Sequence, residues 1–162
     1  MIKVVRVDDR LIHGQVVEGW VKYYGLDKII IVDDEIFNDE FQKSMMRFSL
    51  DESIKLEFSD TRNLKEKWKK WEEEKEKSIV LLKGVKTVLK LVEAGVELKE
   101  LNVGCIHYEE GKYCIWKAIY WNDEEKRIFK KLKDMGVKIE GRGIPQEFGI
   151  DIGKLLEKES GK

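Results

Sequence analysis

Residues Ile2 to Asp34 read IKVVRVDDRLIHGQVVEGWVKYYGLDKIIIVDD, and the order of elements in that stretch decides the fold. Ile2 to Val7 is an apolar, β-branched run of strand length. Val16, Val17, Trp20 and Val21 then recur at helical spacing, which predicts a helix from Gln15 to Tyr24. Lys28 to Val32 (KIIIV) is a second strand, continuously apolar as a strand covered on both faces should be. Strand, helix and strand at this spacing form the repeating unit of a parallel sheet.

The alternation continues downstream. Asn38 to Phe48 reads as a helix with Phe41, Met45 and Phe48 on one stripe, and Lys55 to Phe58 as a short strand. A charged helix follows around Leu64, Trp68 and Trp71; its tryptophans read as core, and Lys65, Lys67, Lys69 and Lys70 as its wet side. Ile79 to Leu82 is a fourth strand, Val85 to Val92 a helix stopping near Gly95, and Leu101 to Val103 a fifth strand. The aromatic run Tyr113 to Trp121 (YCIWKAIYW) reads as a fully buried strand, with a docking edge or hairpin as the alternative. Asp123 to Met135 is a helix ended by Gly136, and Val137 to Ile139 starts a late strand. The prediction is α/β: one domain over 1–162, an open, mostly parallel sheet with helices on both faces, and the final KESGK frayed.

Composition narrows the function classes. The chain has 162 residues, with 31 Lys and Arg against 32 Asp and Glu, so no global field draws it to nucleic acid or anionic lipid. Cys105 and Cys114 lack C-x-x-C spacing and a histidine pair, so they read as reduced packing residues in a reducing cytoplasm, and neither metal nor cofactor is expected. The chain opens directly into a strand pattern, which reads as a protein that is not exported. No apolar run approaches the roughly 20 residues of a membrane helix, so any membrane role is expected to be borrowed from a partner. Oligomeric state is left open.

Ligands of open parallel sheets bind beyond the carboxyl ends of the strands. Three segments fall there: Asp8 to Gln15, Asp33 to Glu35, and Gly104 to Gly111. The first, within VDDRLIHGQV, has a use for each of its parts. A neutral imidazole, His13, offers a nitrogen to attack phosphorus. Gly14 removes bulk beside an incoming phosphoryl group, and the helix starting at Gly14 or Gln15 aims N–H groups and its positive dipole end there. Arg10 supplies a planar fork suited to phosphate oxygens. Asp8 or Asp9 is placed to hold the loop, pair with Arg10 or fix the His13 tautomer. Phosphoryl transfer needs positioning and charge stabilisation above all. By residue type alone, one histidine near one arginine reads sooner as a satisfied loop histidine beside a surface charge.

His107 reads as a loop-building residue that could also donate to phosphate. Asp33, Asp34 and Glu35 read as a solvated turn before a helix rather than a cation site.

The run D-D-R-L-I-H-G-Q-V, Asp8 to Val16, resembles the signature of the B component (EIIB) of the mannose/fructose/sorbose family of the bacterial sugar phosphotransferase system. The similarity extends through IIVDDEIFND, VEAGVELKELNVG and DEEKRIFKKLKDMGVKIEGRGIP. The resemblance implies that His13 is phosphorylated through Nδ1 by the phosphohistidine of the A component (EIIA). It implies onward transfer to a sugar bound in the membrane-embedded C and D components (EIIC and EIID), with Arg10, Asp9, Gly14 and Gln15 in support. The expected activity is that of a protein-histidine–sugar phosphotransferase, peripheral to the inner membrane through its partners. One departure stands out: NVGCIH, Asn102 to His107, carries Cys105 and Ile106 where the family often has Gly and Met.

Two other readings compete. A non-catalytic regulatory homologue would keep the fold without turnover. A receiver-like signalling domain would use Asp8–Asp9, a phospho-accepting Asp60 and Lys83, and would leave Arg10, His13 and Gly14 without a joint role. The carrier reading predicts that no general base near His13 is poised to activate water, and that Arg10→Ala harms transfer more than the fold.

Overall fold

Period-two alternation along the central strands sends side chains to opposite faces, and two separate cores result. In the computed structural model, which describes residues 1–160, β1 (Ile2–Asp8) turns Val5 and Val7 to one face, with Val4 on the other. The strands β2 (Lys28–Val32) and β4 (Ser78–Leu82) split likewise: Ile30, Val32, Val80 and Leu82 one way, Ile29, Ile31, Ile79 and Leu81 the other. All eight are at most 1% exposed, so truncating any one to alanine is expected to cost about 2–5 kcal/mol.

The remaining strands are β3 (Lys55–Ser59), β5 (Glu100–Cys105), β6 (Tyr113–Trp116), β7 (Ile119–Trp121), β8 (Lys138–Gly141) and β9 (Ile150–Asp151). The main sheet runs β3-β2-β4-β1-β5-β8-β9, parallel throughout except for β9 against β8. Helices α4 (Leu64–Glu73), α5 (Val85–Glu93), α6 (Asp123–Asp134) and α7 (Ile152–Ser160) cover one face through Trp71, Val88, Leu91, Phe129, Leu132 and Leu156. The other face takes a π-helix (Gln15–Val21), its continuation α1 (Lys22–Tyr24), α2 (Asp34–Phe37) and α3 (Glu40–Phe48). There Leu11, Val16, Trp20, Val21 and Ile36 pack on the odd-numbered residues of β2 and β4. The predicted α/β sheet with helices on both faces is therefore observed. The helix expected over Gln15 to Tyr24 is found in place, wound as π over most of its length.

Two elements differ from expectation. The run Tyr113 to Trp121 is a hairpin, not one buried strand: β6 and β7 pair antiparallel, and Lys117 turns between them at φ 40°. β7 enters the core with Ile119 and Trp121 fully buried, whereas β6 packs against it only through half-buried Ile115 and Trp116, and Tyr113 and Cys114 face solvent. The α3 stripe of Phe41, Met45 and Phe48 points outward, at 75%, 59% and 91% exposure. This helix lies beside the edge strand β3 and docks instead through Met46, with Lys43 and Arg47 over the Phe58 ring. Helix α6 begins at a capping box formed by Asn122 and Glu125, and Gly136, at φ 91°, follows its C-terminus as foreseen. Helix α7 continues to Ser160; Gly161 and Lys162, part of the stretch expected to fray, lie outside the described residues.

Candidate active site

β1 lies between β4 and β5, so its carboxyl end opens where the chain's connections diverge to the two sides of the sheet. Its last residue, Asp8, is fully buried and organises what surrounds it. Oδ1 accepts hydrogen bonds from the Arg10 backbone N–H and Arg10 Nε, both at 3.1 Å. Oδ2 accepts from Arg6 Nη2 at 3.0 Å and Arg10 Nη2 at 3.1 Å, and lies 2.8 Å from His13 Nε2. Burial alone would raise the pKa of this carboxyl. The Arg10 hydrogen bonds, the Arg6 charge and the His13 contact outweigh that, and Asp8 titrates below the ordinary range.

An ionised carboxylate only accepts, so His13 Nε2 must carry the proton of that contact and Nδ1 keeps its lone pair. Desolvation lowers the His13 pKa, with the neighbouring arginines adding to the effect, and the pull of Asp8 offsets only part of it. The ring is therefore neutral at pH 7. The loop that delivers it is strained: Leu11 sits at φ 56°, unusual for a residue other than glycine, and is held there with its side chain 2% exposed in the core. Gly14 caps the π-helix in the right-handed helical region, and a methyl group built on it would touch nothing within 4 Å. Arg10 Nη2 also donates to Gln15 Oε1 at 3.0 Å, tying the loop to the helix start.

Beneath this loop lies a frame that the sequence reading missed. Arg6 is 0% exposed and donates to Asn102 Oδ1, to the Arg142 carbonyl at 2.7 Å and to the Gly143 carbonyl at 3.0 Å, besides Asp8. The Trp20 ring covers it, with the guanidinium carbon 5.0 Å from the ring centroid, and Trp20 Nε1 donates to the same Gly143 carbonyl at 2.8 Å. A Cβ at Gly104 would overlap the Arg6 guanidinium, so this position on β5 has no room for a side chain. The residues come from β1, β5, the segment after β8 and the π-helix. Its one signal in the sequence was an arginine inside an apolar strand.

Of the predicted residues, His13, Arg10 and Gln15 come together around Asp8, with Gly14 adjoining. Asp9 turns elsewhere. Its Oδ2 accepts the His107 backbone N–H at 2.7 Å, and its Oδ1 lies 2.7 Å from His107 Nδ1. Asp8, not Asp9, therefore carries the contacts to Arg10 and His13. Asp33 caps α2 through the Ile36 N–H, and Asp34 accepts from Thr61, so the acidic turn is structural. Asp60 at the end of β3 pairs with Arg62 and Lys67. β3 is three places from β1 in the sheet, about 14 Å at the usual spacing, so Asp60 and Asp8–Asp9 do not form a receiver-type acidic pocket.

Comparison with known proteins places this geometry. The family model for the PTS system sorbose subfamily IIB component matches residues 2–162. The sorbose-specific EIIB component of Lacticaseibacillus casei is 31% identical over 162 residues, covering 100% of this chain and 99% of that protein. The mannose-specific EIIAB component of Escherichia coli is 28% identical over 158 residues, covering 98% of this chain and 49% of the longer protein. Among solved structures, the IIB domain of the sorbose permease from Klebsiella pneumoniae superposes with a TM-score of 0.86 at 28% identity, covering 97% of this chain and 96% of that one. The family match over nearly the whole chain, the full-length relatives and the superposition agree: the chain belongs to the sorbose subfamily of phosphotransferase-system IIB components, and is a phosphotransfer component of a sugar phosphotransferase system.

Proposed function

We propose that His13 is the phosphoryl carrier of this chain, acting through Nδ1 as a protein-histidine–sugar phosphotransferase. One observation carries the reading: the Asp8 carboxylate holds Nε2–H at 2.8 Å, which leaves the Nδ1 lone pair for attack. The Nδ1 pair forms a bond to phosphorus while the P–N bond of the donor phosphohistidine, on an A component, breaks and returns its electrons to the donor ring. With Nε2–H retained, the phosphorylated ring carries positive charge beside Asp8, which stabilises it without taking the proton. A sugar hydroxyl then attacks phosphorus, the P–N bond breaks toward Nδ1, and the hydroxyl proton is lost to solvent.

The surroundings suit a carrier that must not hydrolyse its cargo. Asp8 is occupied by two arginines and depressed in pKa, and Asp9 is engaged by His107, so neither is a ready base for water. Arg10 supports the site twice over: it braces Asp8, and its partly exposed fork is our choice for phosphate contact. Gly14 and Gln15 shape the approach beside it. Arg10→Ala is therefore expected to loosen the loop by about 1–3 kcal/mol as well as slow transfer, more than for an ordinary surface change.

EIIB components of this kind work with EIIA and with membrane EIIC and EIID; we assign this chain the same partners. The mannose-specific relative, named as an A and B component in one, supports the pairing with A. No helix of the described residues is long and apolar enough to cross a membrane, so membrane contact would come through EIIC and EIID, with the chain on the cytoplasmic side.

Intact-mass measurement after incubation with phosphoenolpyruvate, the general phosphotransferase proteins and a family A component tests the assignment. One added phosphoryl group is expected, acid-labile and base-stable, and absent from His13→Ala. No addition to the wild type, with the upstream proteins shown active, overturns the carrier reading and favours a regulatory homologue.

A further inference from the structure

A second chemically distinct cluster lies beside the His13 loop, where the ends of β1 and β5 meet. Asp9, Cys105 and His107 each offer one ligand atom, and these atoms lie within 4.8 Å of one another. Cys105 Sγ is 3.7 Å from His107 Nδ1, and Asp9 Oδ1 is 2.7 Å from the same nitrogen. A tetrahedral zinc ion, with bonds near 2.3 Å to sulfur and 2.0–2.1 Å to nitrogen, sets those two ligands about 3.5 Å apart. The sulfur–nitrogen edge already has that length within a few tenths of an ångström. The oxygen–nitrogen edge, 2.7 Å here, has to open by about 0.6–0.8 Å as the metal replaces the shared proton.

The backbone holds the three together without help from a metal. The Asp9 N–H donates to the Cys105 carbonyl at 3.1 Å, across parallel strands where a register shift after Val7 brings Asp8 opposite Cys105. The His107 N–H holds the second Asp9 oxygen at 2.7 Å, the outer-sphere bond that orients a ligating carboxylate. Cys105 is 1% exposed, Asp9 half-buried and His107 exposed, so the cluster opens to solvent on one side only.

We propose that Asp9, Cys105 and His107 form a binding site for a thiophilic divalent cation of the zinc class, with water in the fourth position. Thiolate and imidazole donors select such ions over magnesium or calcium. One carboxylate, one thiolate and a neutral imidazole balance a dication, leaving no net charge in a half-buried place. Binding releases the Cys105 thiol proton to solvent, and the neutral imidazole binds through Nδ1 with its single ring proton carried on Nε2. C-x-x-C spacing rules do not detect this site, because Asp9 lies 96 and 98 residues before the other two ligands.

The test uses the full chain, stripped of metal, titrated with Zn2+ against a competing chelator, and separately with Co2+. One equivalent per chain is expected, with a sulfur-to-cobalt charge-transfer band in the near ultraviolet. Cys105→Ser should abolish that band, and both Cys105→Ser and His107→Ala should weaken zinc binding by about 100-fold or more. His107 is exposed, so its variant reports on binding even where the cysteine variant folds poorly. Cys114→Ser and His13→Ala should bind as the wild type does. Absence of stoichiometric binding, equal binding by His107→Ala, or loss in Cys114→Ser or His13→Ala overturns the proposal.

Discussion

Asp8 satisfies two arginines and a histidine with two oxygen atoms, so a one-atom change there is informative. Asp8→Asn puts an amide N–H within reach of Nε2, which favours the opposite tautomer and protonates the nitrogen meant to attack. Phosphoryl acceptance should fall by roughly 10²–10⁴-fold, the range typical when proton placement is lost. Single-turnover transfer from the phosphorylated A component measures it. Gly14→Ala separates folding from docking. The position has helical φ and empty space, so stability should hold or rise by about 0.4–1 kcal/mol. Transfer should slow if the added methyl meets the donor protein; unchanged transfer would show that the partner stays clear of Gly14. The motif reading singled out His13, Arg10 and Gln15, which the fold gathers around Asp8. It chose between Asp8 and Asp9 without success, since adjacent carboxylates at a strand end differ only in which face the pleat gives them.

Elements were legible where their pattern had punctuation. α6 was expected from Asp123 with a stop at Gly136, and both ends are found there, the start capped by Asn122. The β6–β7 hairpin carried none, because its turn is made by Lys117 and Ala118 in place of Gly, Asn or Pro, and a nine-residue apolar run then looks like one strand. The α3 stripe shows a related blindness: periodicity reports that a helix has an apolar face, and packing decides where that face points. Between β1 and β5 the decisive fit is Arg6 against Gly104. Gly104→Ala should cost about 1–3 kcal/mol, as overpacked sites do, and should also slow phosphoryl acceptance by displacing the arginine that anchors Asp8. Urea midpoints and transfer rates on the same variant test the coupling; a stability loss with normal transfer would detach the frame from the chemistry.

Across the molecule, strand and helix order was readable because β2 and β4 carry unbroken apolar runs and helical spacing separates the strands, while the Arg6 frame was not, because it joins residues remote in sequence. The same ionic ties set the response to acid. Asp60 is held at about 2 against an ordinary 3.8, chiefly by its hydrogen bond from Lys67, with Arg62 assisting. A depressed carboxyl stabilises the fold above its unfolded value and loses that contribution as pH falls through its folded one. Asp8, Asp34, Glu57 and Glu147 are lowered too, and so share the sign. His13, also lowered, adds to it below its unfolded value near 6.5, since the unfolded chain binds its proton more readily. Stability should thus decline from neutral pH downward, most steeply below pH 4. Asp60→Asn should flatten the segment between about 4 and 2, as followed by urea unfolding at each pH.

The reach of Arg6 also has a consequence in time. Its supports, Asn102 and the carbonyls of Arg142 and Gly143, are 96 to 137 residues downstream. A ribosome adding about 5–20 residues per second makes Asp8 on the order of ten seconds before Gly143. Until then the histidine loop has no foundation. A nascent or prematurely ended chain therefore displays the motif without the grip that sets its tautomer, so the proposed phosphoryl acceptance would be confined to finished molecules.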